Sequence, residues 1–274
     1  MSGAAPQANR LVLVGCGQMG SAMLRGWFAS DAAREFIVVE PAGLPTTFAG
    51  NSAISFHRAT GDLSAEPAPD AVVFAVKPQI IDDLLPAYRR FVQPQTLFLS
   101  IAAGKTIAGL ARRLGDAAIV RVMPNTPAAI GRAISVACAN PRVSPAQRQL
   151  AEALLTAIGE SVWVEDEALM DAVTAVSGSG PAYVFLLIET LAAAGARAGL
   201  PADLALRLAR DTVAGAGELA RHSSESPGNL RENVTSPGGT TRAALDVLMA
   251  PEGMARLLEE AVAAATRRSR ELAS

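Results

Sequence analysis

Three glycines and one acid carry the strongest chemical signal in this chain. Residues 11–20 read LVLVGCGQMG, with Gly15, Gly17 and Gly20 at GxGxxG spacing, and Glu40 stands 20 residues after the last of them. Such spacing suits a dinucleotide. Gly15 allows a tight turn, Gly17 lets backbone approach a pyrophosphate, and Gly20 permits close packing of the helix that begins at Gln18 and Met19. The helix N-terminus then faces the phosphates. Glu40, at the end of a second strand over 36–39, is placed to accept hydrogen bonds from an adenosine ribose 2'-hydroxyl. The bland alternative is a glycine turn in another βαβ unit, and strand, glycines, helix and acid in one register weigh against it.

A second cluster lies far downstream. Ser177-Gly178-Ser179-Gly180-Pro181 and Thr235-Ser236-Pro237-Gly238-Gly239-Thr240-Thr241 are rich in glycine and hydroxyl groups, and each leads into a helical pattern. Free backbone N–H groups, a positive dipole end and hydroxyls suit a small anion such as a carboxylate. Ordinary N-capping accounts for one hydroxyl per helix. It does not account for paired glycines followed by two threonines.

The remaining inventory narrows the reaction. The chain has two lysines, Lys77 and Lys105, both upstream of residue 165, and the downstream half has one histidine, His222. Hydride transfer at an alcohol carbon ordinarily needs a positioned Lys, His or Tyr as proton donor or acceptor. An imine asks less, because its nitrogen is protonated before hydride arrives and its carbon is already electrophilic. A reductase of a cyclic imino acid therefore fits better than a hydroxy-acid dehydrogenase. A third alternative is a module that senses the nucleotide without turnover, for which a second anion loop has no use. Lys77 follows a buried strand, so its stem can lie along a cofactor while its ammonium stays solvated.

The elements that position these groups follow from the pattern. The chain has 274 residues, 50% hydrophobic and 18% charged, with a net charge of −2, which suits filled cores and leaves no basic footprint for nucleic acid. Strands are predicted at 11–14, 36–39, 71–76, 96–100, 119–123, 134–137 and 162–164, alternating with helices, so residues 1–165 read as a doubly wound parallel sheet. Residues 166–274 read as all helix, with segments over 181–197, 201–222 and 251–272. The first is apolar nearly all round, interrupted by Glu189 and Arg197, which falls short of a membrane span. Such a helix must be buried, and coverage by a second subunit is expected over enclosure within one protomer. The N-terminal MSGAAPQANR holds no apolar segment, so no secretory signal and a cytoplasmic location are expected. Cys16, Cys138, His57 and His222 show no ligand-like spacing, so no metal site is expected.

Taken together, GCGQMG at 15–20, AVKPQ at 75–79, SIAAG at 100–104, RVMPNTP at 121–127, SGSGPAY at 177–183 and VTSPGGTT at 234–241 resemble pyrroline-5-carboxylate reductase over essentially the whole chain. That resemblance implies an N-terminal Rossmann domain, an all-helical C-terminal dimerisation domain, and a homo-oligomer built from dimers. It implies reduction of 1-pyrroline-5-carboxylate to L-proline by NADPH or NADH. By position, Ala75, Val76, Lys77 and Pro78 would line the adenosine side of the cofactor. Ala102, Ala103, Gly104 and Asn125 would approach the nicotinamide. Ser236, Gly238, Gly239, Thr240 and Thr241 would hold the substrate carboxylate, with Ser177 and Ser179 closing the pocket beside them. Glu225, in the stretch upstream of VTSPGGTT, is a candidate to orient the iminium, and with Thr241 makes up the catalytic set. Where many relatives carry a small polar or basic pair after the second strand, this chain has Glu40-Pro41, a carboxylate that repels a 2'-phosphate and so favours NADH.

Overall fold

A computed structural model describes residues 7–64 and 66–273. Residues 1–6, most of the N-terminal stretch read for a leader, lie outside the described residues. The chain divides into two compact units, one running to Gly178 and resuming at Ala265, the other Ser179–Ala264.

The first unit is built on one sheet of eight strands: β1 (Ala8–Val14), β2 (Ala33–Val39), β3 (Ile54–His57), β4 (Ala71–Phe74), β5 (Leu97–Ser100), β6 (Ala118–Met123), β7 (Ala133–Ala139) and β8 (Gly159–Trp163), in the order β3-β2-β1-β4-β5-β6-β7-β8. The doubly wound α/β architecture expected from the sequence is present, with two differences. β3 escapes sequence reading because its four residues, ISFH, are all half-buried and form no apolar run. The sheet is also not wholly parallel, since β6 and β7 pair antiparallel. A single short 3-10 turn, Thr126–Ile130, joins them, and a connection that short can only return the chain antiparallel.

Helices α1 (Gln18–Ala29), α2 (Pro78–Tyr88), α3 (Ile107–Leu114), α4 (Pro145–Thr156) and the single turn α5 (Met170–Val173) belong to this unit. Successive strand residues face opposite sides, so each strand feeds two cores. Leu11, Leu13 and Val73 pack with Leu24 and Trp27 of α1 and Leu154 of α4 on one side. Val12, Val14 and Phe74 pack with Ile81 and Leu85 of α2 and Leu110 of α3 on the other. Each fully buried Leu, Phe or Ile contributes about 1.5–3 kcal/mol relative to exposure. Local signals agree with the packing: Ser144 and Gln147 form a capping box at the start of α4, with Pro145 in the first turn. The unit runs past residue 165 because Met170, fully buried, packs against Val136 and Cys138 of β7.

The second unit is helical: α6 (Gly180–Arg197), α7 (Ala202–His222), α8 (Pro227–Asn233), α9 (Thr240–Leu248) and the first part of α10 (Met254–Ala273). Gly199, at φ +103°, ends the α6 segment as read from the sequence. No residue of α6 is buried, and Phe185 is 63% exposed. The helical unit by itself therefore does not enclose α6. The helical stretch Glu167–Arg197 is long and apolar enough to cross a membrane by length and composition, against the shorter reading from Pro181 onward. Its extra length comes from residues tied into the first unit, since Glu167 pairs with Arg121 of β6 at 2.9 Å.

Candidate active site

A cleft of about 620 Å³ opens at the C-terminal ends of β1, β2 and β4, with Gly15, Gly17, Glu40, Arg58, Val76 and Lys77 among its lining. It straddles the point where strand order reverses between β1 and β4, the place where open α/β sheets bind ligands. Gly15 sits at φ +91°, and a Cβ there would lie 2.6 Å from the Ala75 carbonyl oxygen. Only glycine is accommodated. A Cβ on Gly20 would come 2.2 Å from the Gly15 oxygen, so α1 lies directly on the turn. Gly17 faces open space and is the N-cap of α1 without a side-chain cap, which leaves first-turn N–H groups for a ligand.

The acid is held in place. Glu40 Oε2 accepts from the Cys16 N–H at 2.8 Å and Oε1 from the Ala42 N–H at 3.0 Å, each oxygen keeping a further lone pair for a ligand hydroxyl. Arg58 and Lys77 contribute the cleft's positive charge, and Arg58 Nη1 donates to the Pro41 carbonyl at 2.9 Å. Below, Thr60 donates to the Tyr88 hydroxyl at 2.9 Å. Burial pushes the Tyr88 phenol up to about 12, against the lowering effects of Thr60 and Arg90. Burial likewise raises the Cys16 thiol, so this loop cysteine is a small packed residue and not a ready nucleophile. Room beside a glycine turn, an open helix end and a fixed carboxylate fit a dinucleotide.

Of the residues read from the sequence, Gly15, Gly17, Glu40, Ala75, Val76 and Lys77 line this cleft. Gln18, Met19 and Gly20 form the first turn of α1, and Pro78 the first position of α2. Ala102, Ala103 and Gly104 follow β5, and Asn125 follows β6, without lining it. Arg58, Thr60 and Tyr88 are members that sequence reading missed. Recognition of β3 would have found the first two, because its C-terminal end must fall beside that of β2.

A second gathering lies beyond β6. Asn125, 8% exposed, accepts from the Ile134 N–H through Oδ1 at 3.0 Å and turns Nδ2 to the Ser177 hydroxyl at 3.4 Å. Gly178 lies so close to Met123 that a Cβ would come 2.2 Å from its Cε. RVMPNTP thus meets the start of SGSGPAY. The latter is not the loop expected from the sequence: Thr174–Gly178 is a π-helical turn running on from α5, followed by a bend at Ser179. Small residues let the backbone widen here without leaving the helix, a device common at functional sites.

In the helical unit, Gly239 is the N-cap of α9, its N–H donating to the Ser236 carbonyl at 3.1 Å, and no side chain caps it. Ordinary hydroxyl capping therefore does not explain the threonines. Thr240 and Thr241 are the first two helical residues, beside N–H groups that no intrahelical carbonyl can reach. Glu225 is exposed between α7 and α8, and its Oε2 accepts from Asn233 Nδ2 at 2.9 Å. His222 pairs with Glu218 at 2.8 Å.

Residues 167–272 match a family model described as pyrroline-5-carboxylate reductase dimerisation, and residues 10–104 match one described as NADP oxidoreductase, coenzyme F420-dependent. A pyrroline-5-carboxylate reductase of Pseudomonas aeruginosa is 40% identical over 267 residues, 96% of this chain and 97% of that one. A solved structure of a pyrroline-5-carboxylate reductase from Coxiella burnetii matches with a TM-score of 0.88 at 31% identity, over 98% of this chain and 100% of that one. Pyrroline carboxylate reductase of Plasmodium falciparum, solved with NADP bound, matches with a TM-score of 0.84 at 30% identity, over 97% and 98%.

Proposed function

The chain belongs to the pyrroline-5-carboxylate reductase family, and from that premise we propose how its residues divide the work of reducing the C=N bond of 1-pyrroline-5-carboxylate to L-proline. The cofactor is NADPH or NADH, which supplies hydride when bound. Gly15, Gly17 and the N-terminus of α1 hold the pyrophosphate, because glycine geometry and orphan N–H groups coincide there. Glu40 accepts from the adenosine ribose, and its fixed negative charge favours NADH. Ala75, Val76, Lys77 and Pro78 bound the adenosine side. Ala102, Ala103, Gly104 and Asn125 form the nicotinamide end.

Ser236, Gly238, Gly239, Thr240 and Thr241 hold the substrate carboxylate on the N-terminus of α9, supported by the absence of any side-chain cap there. Ser177 and Ser179 are proposed to contribute hydroxyls to substrate binding. The imine nitrogen of the substrate is protonated from solution, so the protein's task is orientation and exclusion of water, and Glu225 is the group assigned to orient the iminium. This division needs no lysine in the helical unit.

A second copy of the chain is proposed to cover the apolar face of α6, where Phe185 and Leu186 are 63% and 56% exposed and the matched family model is one of dimerisation. The cytoplasm is the proposed compartment, supported by two buried, unbridged cysteines, Cys16 and Cys138. The observation that carries the whole reading is the glycine cleft with Glu40 tied to the Cys16 N–H. Cofactor absorbance followed with pyrroline-5-carboxylate, with 3-hydroxy acids and with no substrate tests it. Oxidation of NADH or NADPH with the imine alone supports it, and its oxidation with no imine present, or reduction of NAD+ or NADP+ by a 3-hydroxy acid, overturns it.

A further inference from the structure

The segment after β5 is gripped at two points by groups that the reaction itself does not use. Gly104 stands at φ +76° beneath the last turn of α10, where a Cβ would lie 2.7 Å from Leu272 Cβ and 3.2 Å from the Ser269 carbonyl oxygen. Further on, the Ile107 N–H that opens α3 donates to Glu167 Oε1 at 2.7 Å. The same oxygen accepts from Arg121 Nη1 at 2.9 Å. Arg121 is 5% exposed within β6, and its other nitrogen lies 3.9 Å from Asp171 Oδ1. Asp171 closes the circuit by accepting from the Ser269 hydroxyl at 2.7 Å, with Arg270 Nε 3.8 Å from its second oxygen.

A single partly buried ion cluster, centred on the buried Arg121, thus holds α3's first N–H directly and, through Ser269, the helical turn that covers Gly104. A paired and hydrogen-bonded buried charge has few alternative arrangements, so it fixes position well whatever its net contribution to stability. Ser269 is itself 4% exposed, which keeps water from replacing its bond to Asp171. We propose that the C-terminal turn of α10, anchored by Ser269 on the Arg121, Glu167 and Asp171 cluster, positions the 102–104 segment for the nicotinamide end of the cofactor, an inference that rests on the assignment of that segment above. Ser269 is then a positioning residue, since it touches neither cofactor nor substrate.

The test compares two ligands on the full-length protein, NADH and ADP-ribose, which lacks the nicotinamide. In Ser269→Ala the acceptor Asp171 loses a buried donor and the covering turn loosens, so NADH binding weakens by about three- to tenfold. ADP-ribose binding stays within twofold, which also reports an intact fold. NADH binding within twofold of the unsubstituted chain overturns the proposal. Equal weakening of both ligands overturns it too, because the whole cleft and not one segment would then depend on Ser269. An unsubstituted chain that binds ADP-ribose and NADH equally tightly instead overturns the assignment of residues 102–104 to the nicotinamide end.

Discussion

Replacing Glu40 by serine removes the one negative charge fixed in the cofactor cleft. In the folded chain that carboxylate is half-buried, anchored by the Cys16 and Ala42 N–H groups at 2.8 and 3.0 Å, and shares the cleft with Arg58. A unit charge about 5 Å from another at an effective dielectric of about 20 interacts by about 3 kcal/mol. Solvent at the mouth and the Arg58 guanidinium reduce this to about 1–2 kcal/mol against a 2'-phosphate. NADH loses an acceptor for its ribose hydroxyl, about 1 kcal/mol, which moves the preference the same way. Together the two effects move the preference by about 2–3 kcal/mol, and every 1.4 kcal/mol is tenfold. Glu40→Ser should therefore shift the ratio of kcat/KM for NADH over NADPH toward NADPH by at least about tenfold. Steady-state rates with each cofactor at saturating imine give the ratio directly. A ratio within twofold of the starting value refutes the role of Glu40. The companion Arg58→Ala should act the other way, lowering kcat/KM for NADPH and leaving NADH within about twofold.

Thr241→Ala should raise KM for the imine by about tenfold, from about 1–3 kcal/mol for a charged partner left short of one donor, with cofactor KM unmoved. A loss seen only in cofactor KM would misplace the carboxylate. Phe185→Arg, on the exposed face of α6, should lower the assembly mass measured by light scattering at micromolar protein. An unchanged mass would show that α6 lies outside any interface. Tyr88 titrates near 12 in the fold and near 10 unfolded, so only the unfolded chain releases its proton between those values. Stability is then unaffected below about pH 10 and falls above it by about 1.4 kcal/mol per pH unit. Tyr88→Phe should flatten that decline in denaturant titrations, and an identical slope would contradict the assignment.

Legibility from the sequence followed how local the physics is. The turn at Gly15, the helix from Gln18 and the stop at Gly199 are written in single residues whose backbone requirements admit little else. β3 was not legible because its half-buried residues lack an apolar run, and with it went Arg58 and Thr60. The antiparallel β7 looked like any other short β-branched strand, because pairing direction depends on the length of the preceding turn. Ser177-Gly178-Ser179 read as a loop on composition, yet packing of Gly178 on Met123 and the contact of Ser177 with Asn125 accompany a widened helical turn. The Arg121 cluster was invisible for a related reason: its bonds from Arg121 to Glu167 and from Ser269 to Asp171 span 46 and 98 residues and form only when β6, the turns around α5 and α10 are in place.

The most direct test of the chemistry is the fate of one deuterium. NADH or NADPH carrying deuterium at both positions of the nicotinamide C4, incubated with this protein and pyrroline-5-carboxylate, should yield proline heavier by one mass unit, with the label on the ring carbon that bore the C=N bond. Proline without label, or cofactor oxidised with no proline formed, would contradict it.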